Sequence, residues 1–252
     1  MKQIMIITAL VMTAWTALAI QEDGLVLYFP FDEGAGDMAG DLSGSELVGV
    51  LNGVNWSDEG LKDGCVEFDE AGDHILIDPT PILDLTEELT ITVWIHPTQD
   101  QDDSSIMGRR NAGNQGGHAM QWSSQFTGSP QIETWWHKGG WNGTRNKQSI
   151  SPPLNEWHYI AAVYDGTEAR QYINNELDAT VPVAAPLDSI DIPYRIGQGQ
   201  TNLKSMMGRM DEVAIYNRAL SLDDLQENMT NSGLSVSPKG KAAEIWGRLK
   251  RR

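Results

Sequence analysis

Apolar and polar positions alternate along much of this 252-residue chain. In LTITVWIH, residues 89–96, Ile91, Val93 and Ile95 fall on one face, and polar or amphipathic residues fall on the other. A period of two predicts a strand with one buried face. Similar short strands are predicted in GLVLYFPFD, GCVEFD, DHILID, WHYIAAVYDG, PYRIG and DEVAIYN. Because helical periodicity is scarce, the pattern predicts an all-β sandwich or jelly roll.

Two local signals add a turn and a helix to this picture. Asn174-Asn175 interrupts RQYINNELDAT and predicts a tight hairpin, because asparagine tolerates positive φ. Ser221 stands three residues before Asp224, a variant of the capping box at the start of a helix. An apolar stripe follows, formed by Leu222, Leu225 and Met229. We expect one short C-terminal helix whose stripe packs on the sandwich.

The two ends of the chain differ from its body. Residues 1–19 begin with Lys2, continue through an apolar run and end in Ala-Leu-Ala, a pattern typical of a secretory signal peptide. An N-terminal anchor or a buried helix is the alternative, although the run is short for a membrane span. We therefore expect a secreted, extracytoplasmic protein without a transmembrane segment after cleavage. Residues 20–230 form the predicted domain, and residues 231–252 form a linker and basic tail.

Charge limits the class of partner. The chain has a formal net charge of −17. Residues 1–19 contribute +1 and the tail from residue 235 contributes +5, so the body carries −23. Such a body repels nucleic acid and suits cations or neutral ligands. Cys65 is the only cysteine, so no intrachain disulfide can form, and its apolar neighbours predict a buried thiol.

Six segments occur in an order that resembles the laminin-G-like, concanavalin A-like jelly-roll modules of bacterial secreted proteins. They are YFPFDEGAGDMAGDLSG, GVLNGVNW, CVEFDEAGDHILI, ELTITVWIHP, NEWHYIAAVYDGTEARQYINNE and GRMDEVAIYNRALSLDDL. The resemblance implies a sandwich of two antiparallel sheets with one short C-terminal helix. It is specific for the fold rather than the function, because the fold hosts lectins, adhesion modules and glycosidases. Residues 99–151 match poorly, so we expect their loops to be particular to this protein.

The resemblance also implies a metal site. Related jelly rolls often hold a calcium ion between a late aspartate and oxygens of an early loop, where the late strand lies against the N-terminal strand. This sequence offers Asp32, Asp41 and Asp211 as structural calcium ligands. In the alternative interpretation, Asp32 and Asp41 cap turns and Asp211 ends a strand.

Tryptophans concentrate in the poorly matching segment, around ETWWHKGGWNGTRN. Sugar rings stack their C–H faces on aromatic rings, while Asn and Arg bind hydroxyls, so the cluster predicts a site for a glycan or cell-surface ligand. The predicted contacts are Trp135, Trp136, Trp141, Asn142 and Arg145. The alternative is packing, because adjacent residues of a strand face opposite ways and one of Trp135 and Trp136 would then be core. The basic residues Arg109, Arg110 and Lys147 could receive an acidic sugar.

Catalysis is less well supported by the sequence. Glycosidases use two carboxylates at a fixed separation. Glu67 and Asp69 would share a strand face, yet they belong to a segment that matches a structural turn of the family. No Glu-x-Asp-x-x-Glu motif and no zinc-ligand spacing occur. We expect a non-catalytic carbohydrate-binding module, with an adhesion module or a glycoside hydrolase as alternatives.

Overall fold

A computed structural model describes residues 20, 22–100, 104–111, 116–123, 131–143, 152–198 and 204–232. These residues form seventeen strands in two sheets, with one 3-10 turn at Pro81–Leu83 and one α-helix. The strands are β1 Leu25–Phe29, β2 Met38–Gly40, β3 Val48–Asn52, β4 Asn55–Ser57, β5 Cys65–Phe68, β6 His74–Ile77, β7 Leu89–Pro97, β8 Ser104–Arg110, β9 Gly116–Ser123, β10 Gln131–His137, β11 Trp141–Gly143, β12 His158–Tyr164, β13 Glu168–Ile173, β14 Glu176–Pro182, β15 Tyr194–Gly197, β16 Lys204–Ser205 and β17 Gly208–Tyr216. The helix α1 spans Leu222–Asn231.

The strands are divided between two sheets. The first sheet has the order β14-β13-β12-β7-β17-β5-β4, with β1 beside β17. The second has the order β11-β10-β9-β8-β15-β6-β3-β2, with β16 beside β8. The short β16–β8 pair is parallel, and the other pairs are antiparallel. The predicted all-β sandwich of two antiparallel sheets is confirmed.

The main core lies between the two sheets. Ile91, Val93 and Ile95 of β7 all point into it, as their alternation predicts. Strand β12 is buried on both faces, because its outward residues join a second cluster on the outer side of the first sheet. Helix α1 adds Leu225 to that second cluster. The N-terminal strand β1 pairs with β17, the neighbour that the resemblance implied.

The helix begins as predicted, but its apolar stripe is narrower. Ser221 caps the helix, and its reciprocal hydrogen bonds with Asp224 complete the capping box. Leu225 is fully buried, whereas Leu222 is 51% exposed. The prediction that Leu222 packs on the sandwich is therefore wrong. Asn228 lies on the buried side instead, where its Nδ2 donates to the Tyr216 hydroxyl at 2.9 Å.

Other local predictions are confirmed. Asn174 and Asn175 both have positive φ, +50° and +63°, in the turn between β13 and β14. Cys65 is a free, buried cysteine, and burial raises the pKa of its thiol to about 12. The predicted signal peptide and the basic tail from residue 233 lie outside the described residues. Within the described part of the chain, no helix is both long and apolar enough to cross a membrane.

Candidate functional site

Strand β10 divides its side chains between the core and the opposite surface of the second sheet. Ile132 and Trp136 belong to the main core. The alternate residues Glu133, Trp135 and His137 therefore point to the other side, which we call the outer face of the second sheet. This face contains the one tryptophan among the predicted contacts whose side chain the structure describes as partly exposed, Trp135.

Trp135 is held by its own strand and has small neighbours on both adjoining strands. Its indole Nε1 donates to Glu133 Oε2 at 3.2 Å. Its cross-strand partners are Ala119 on β9 and Gly143 on β11. Directly opposite residues lie side by side on one face of a sheet, so the two residues directly opposite Trp135 place no more than a methyl group beside it. The arrangement suits a planar ligand that stacks on the indole.

The row of residues that contains Trp135 continues across the sheet. Ala119 pairs with Gly108 on β8, and Gly108 pairs with Arg195 on β15. Trp135 and Arg195 are thus three strand spacings apart, about 14 Å between their backbones. Only a methyl group and a glycine lie between them in this row. A Cβ at Gly108 would lie 2.8 Å from the Ala119 backbone, so the close approach of β8 and β9 requires glycine here.

Polar groups lie beside Trp135 on the same face. Glu133 is paired across the strands with Gln121. Both side chains are buried, with 5% and 4% exposure. The carboxylate accepts hydrogen bonds, and the amide both donates and accepts them. This is the donor and acceptor chemistry that recognises hydroxyl groups.

Contacts with Asp188 fix the end of β10. His137 Nδ1 lies 2.9 Å from Asp188 Oδ2, and the same carboxylate accepts from Gly139 N at 2.6 Å. Asp188 N in turn donates to the His137 carbonyl at 2.9 Å. These contacts attach the turn after β10 to the loop before β15, so the strand that positions Trp135 is anchored at this end.

The remaining predicted contacts have different outcomes. Trp136 is 1% exposed, and its ring lies 5.5 Å from that of Tyr164 inside the sandwich. The prediction of Trp136 as a ligand contact is therefore corrected: it is the core member of the adjacent pair. Trp141 and Asn142 lie in β11, where their backbones pair with His137 and Trp136. Their side chains and all of Arg145 lie outside the described residues.

The basic residues predicted to receive an acidic sugar have different outcomes. Arg109 points inward, where Nη1 donates to Asp84 Oδ1 at 2.7 Å and to the Leu83 carbonyl at 3.1 Å. The Arg109 guanidinium is occupied by these contacts on the inner side of the sheet, so it cannot receive a ligand on the outer face. Lys147 lies outside the described residues. Arg110, at the end of β8, is partly exposed and pairs with Gly116 beyond a register shift. Arg195 lies on the outer face, because its neighbours Tyr194 and Ile196 point into the core.

Sequence reasoning missed Glu133, Gln121 and Arg195. The alternation in QIETWWH places Glu133 on the same face as Trp135, so a signal for it was present. In PYRIG, Arg195 stands between the apolar residues Tyr194 and Ile196, so the same alternation places Arg195 on the outer face. Nothing in the sequence, however, indicates that β15 pairs with β8, which is what brings Arg195 onto the row of Trp135.

The predicted calcium ligands have separate structural roles. Asp41 is buried and its two oxygens accept four hydrogen bonds, from the backbone of Tyr28, Ser43 and Leu47 and from the Ser43 hydroxyl. These bonds organise the loop after β2 and occupy the carboxylate. Asp32 is exposed and accepts from Gly64 N at 3.2 Å. The alternative interpretation of both residues, as organisers of turns, matches these contacts.

Asp211 lies in β17 beside an irregularity in the pairing with β7. Its two oxygens accept from Leu61 N and Glu212 N, each at 2.9 Å. Burial, and then the charge of Glu212, raise the pKa of Asp211 to about 8. Glu212 has a positive φ of 54° and accepts the Tyr28 hydroxyl at 2.6 Å. The acidic pair thus ties the irregular part of β17 to β1 and to the loop around Leu61.

The contacts of these residues do not favour a calcium site. Within the described residues, no group of three or more His, Cys, Asp or Glu side chains is arranged to hold a metal ion. Calcium needs several hard oxygen ligands that are free to bind it. Asp41 has its oxygens occupied by four hydrogen-bond donors, and burial and the charge of Glu212 raise the pKa of Asp211. The described contacts therefore do not support the three aspartates as a ligand set, and calcium binding stays a prediction.

We expect metal removal to leave the fold unchanged. The thermal unfolding midpoint, measured by circular dichroism, should be the same with a chelator and with added calcium, because ligand binding to the native state would raise it. A calcium-dependent rise in the midpoint that Asp41→Asn or Asp211→Asn removes would contradict this expectation.

A pH dependence should follow from Asp211. Its pKa is about 8 in the folded state, whereas an unfolded aspartate titrates near pH 4. The folded chain therefore binds the extra proton between these values, and stability falls as the pH rises, by up to about 1.4 kcal/mol per pH unit. Urea unfolding across this range should show a shallower decline for Asp211→Asn than for the wild type. Parallel profiles would rule out this role of Asp211.

The candidate catalytic pair of the sequence lies on the other sheet. Glu67 of β5 is 3.5 Å from Arg209 Nε, and Asp69 accepts from Asn55 Nδ2 at 3.3 Å. Both carboxylates therefore have structural partners on the first sheet, away from Trp135.

The family can be assigned from the sequence itself. The family model described as the concanavalin A-like lectin/glucanases superfamily matches residues 69–226, more than half of the chain. The chain belongs to this family. The predicted resemblance is confirmed, and the two antiparallel sheets are those of a concanavalin A-like jelly roll.

Solved structures share this fold at low sequence identity. Domain 4 of an extracellular GH43 arabinanase from Geobacillus stearothermophilus, in complex with arabinotriose, has a TM-score of 0.66 and 17% identity over 82% of this chain and 99% of that domain. The ligand binding domain of botulinum neurotoxin serotype D, in complex with N-acetylneuraminic acid, has a TM-score of 0.64 and 17% identity over 86% of this chain. The binding domain of Paraclostridial Mosquitocidal Protein 1 has a TM-score of 0.63, also with 17% identity, over 83% of this chain.

The matches cover different shares of the solved domains. The chain spans about half the length of the two toxin domains, 53% and 52%. A search of curated proteins found no match. At such identities the structural likeness concerns the fold, and the function must be argued from this chain's own residues.

Proposed function

We propose that this chain is a secreted, non-catalytic module that binds carbohydrate through the outer face of its second sheet. The observation that carries the proposal is the setting of Trp135, an indole fixed to Glu133 at 3.2 Å and flanked by alanine and glycine. An aromatic platform beside a few fixed polar groups on a rigid sheet is the usual form of a small-ligand site. The opposite face of the same strand is core, so the platform has a rigid support.

The chemistry of the face favours a sugar over an apolar ligand. A pyranose or furanose ring presents C–H groups that stack on an indole, and hydroxyls that exchange hydrogen bonds with carboxylate and amide groups. Glu133 and Gln121 place such groups at the edge of the ring, where both side chains are nearly buried. The arabinanase domain and the neurotoxin domain were each solved with a sugar bound, which supports a saccharide ligand on this fold.

The distribution of carboxylates favours binding without catalysis. The nine strands of the second sheet contain one acidic residue, Glu133. Hydrolysis of a glycosidic bond by the usual mechanism needs two carboxyl groups on either side of that bond. The described strands that surround Trp135 supply no second carboxylate, and Asp188, at the end of β10, is held by His137 and Gly139; both observations favour binding over cleavage of a ligand at Trp135.

A glycan array probed with the purified chain tests the proposal. We expect binding to a subset of glycans, equal with and without chelator, and no release of reducing sugar from the glycans that bind. The absence of binding to every glycan would overturn the proposal and favour an adhesion module for a protein partner. Release of sugar that Glu133→Gln abolishes would replace it with a glycoside hydrolase.

A further inference from the structure

The two sheets of this acidic protein differ in charge. The eight strands of the first sheet contain six acidic and two basic residues, a formal charge of −4. The nine strands of the second sheet contain one acidic and four basic residues, a formal charge of +3. In a chain with a net charge of −17, the second sheet is therefore a local exception. Electrostatic potentials of this kind select ligands by sign.

Arg195 is the basic residue of the second sheet that lies on the row of Trp135. Tyr194 and Ile196 on either side of it are core residues, so Arg195 points to the outer face. Its cross-strand partners there are Leu76 and Gly108, neither of which can pair with a charge.

Arg195 differs from four other described arginines by having no counter-charge. Arg109, Arg170, Arg209 and Arg218 each form an ion pair with a carboxylate, at 2.5 to 3.0 Å. Among the described residues, Arg195 has no hydrogen-bond or ion-pair partner. Burial lowers the pKa of its guanidinium, and no carboxylate opposes that effect.

A half-buried guanidinium without a counter-charge is costly, because it has lost part of its hydration and gained no partner. A bound anion would remove this cost. The planar guanidinium matches a carboxylate with two parallel hydrogen bonds, which is the geometry by which arginine recognises that group. Between Arg195 and Trp135 the row carries nothing larger than a methyl group, so one ligand can extend from the indole to the guanidinium.

We propose that Arg195 determines specificity and that the ligand is an oligosaccharide that carries a carboxylate. The sugar ring stacks on Trp135, and the carboxylate of an acidic sugar unit pairs with Arg195. This inference rests on the proposed function, since it assigns a ligand class to the same face.

Matched pairs of saccharides test the inference. Oligogalacturonate and its methyl ester share a backbone and differ in charge, as do sialyllactose and lactose. By titration calorimetry, the wild type should bind at least one acidic member more tightly than its neutral counterpart. Arg195→Gln should weaken that binding about tenfold or more, as expected for a lost charged hydrogen bond, and leave the affinity for the neutral member unchanged. Arg195→Lys should restore only part of the loss.

Arg170→Gln is the matched control. It removes one positive charge from the first sheet, where Arg170 pairs with Asp165 at 2.7 Å, and should leave both affinities unchanged. Equal weakening by the two variants would show a general charge effect and overturn the role of Arg195. Tighter binding of the neutral members would overturn the inference and leave the proposed function standing. The same holds if the chain binds none of these saccharides but binds other neutral glycans on the array. Binding to no glycan at all would overturn both.

Discussion

Trp135→Ala should weaken glycan binding about 30-fold or more while the protein remains folded. The expected size follows from interface tryptophans, whose truncation commonly costs about 2 kcal/mol or more. Trp135 lies on the outer face, with Ala119 and Gly143 as cross-strand partners, so removing its ring leaves no gap between the sheets. Titration calorimetry with the best glycan from the array measures the affinity, and urea unfolding checks the fold.

Trp157→Ala is the appropriate control for this experiment. Trp157 is also partly exposed, but its ring packs beside His96 of the first sheet, 5.3 Å away. It should keep the wild-type affinity. If Trp135→Ala binds as well as the wild type, or if Trp157→Ala loses binding instead, the glycan site is not on the outer face of the second sheet.

Trp136→Ala should have the largest effect on stability, a loss of about 3 to 5 kcal/mol in the free energy of unfolding. Trp136 is 1% exposed and fills the space between Tyr164 of the first sheet and His118 of its own sheet. The cavity left by the indole cannot be filled by the neighbouring strands, because their backbones are fixed by the two ladders. Urea unfolding followed by tryptophan fluorescence and circular dichroism measures this loss.

Trp136→Phe separates packing from hydrogen bonding. Within the described structure, the Trp136 indole N–H has no hydrogen-bond partner. Phenylalanine therefore removes volume without breaking a hydrogen bond, and it should cost well under half of the alanine effect. If instead Trp136→Ala were nearly neutral and Trp135→Ala strongly destabilising, the two faces of β10 would be assigned the wrong way round.

The adjacent tryptophans illustrate what the sequence can and cannot predict. Their adjacency alone implies that one faces the core, but not which one. Which of the two faces the core depends on which alternate positions of the strand are buried. Ile132, four residues before Trp136 and therefore on the same face, was the available signal. The fold class, the Asn174-Asn175 turn and the Ser221 cap were predictable because each depends on a few neighbouring residues.

Features that depend on distant pairing could not be predicted. Arg195 reaches the row of Trp135 because β15 pairs with β8, which is far away in the sequence. Whether the three aspartates can bind calcium was hard to judge from the sequence for a related reason. The resemblance gave their approximate positions, but whether each carboxylate is free depends on its donors, and the Asp41 oxygens are occupied by four hydrogen bonds.

The most direct test of the central claim is the response of the indole N–H signals in a nitrogen-proton correlation spectrum during titration with the best glycan. Each tryptophan gives its own signal, and single substitutions assign them. The Trp135 signal should move most, because its N–H donates to Glu133 at the proposed site, while the signals of Trp94 and Trp157 on the first sheet should remain in place. Shifts confined to Trp94 or Trp157, with Trp135 unmoved by a glycan that binds, would contradict the assignment of the site to the second sheet.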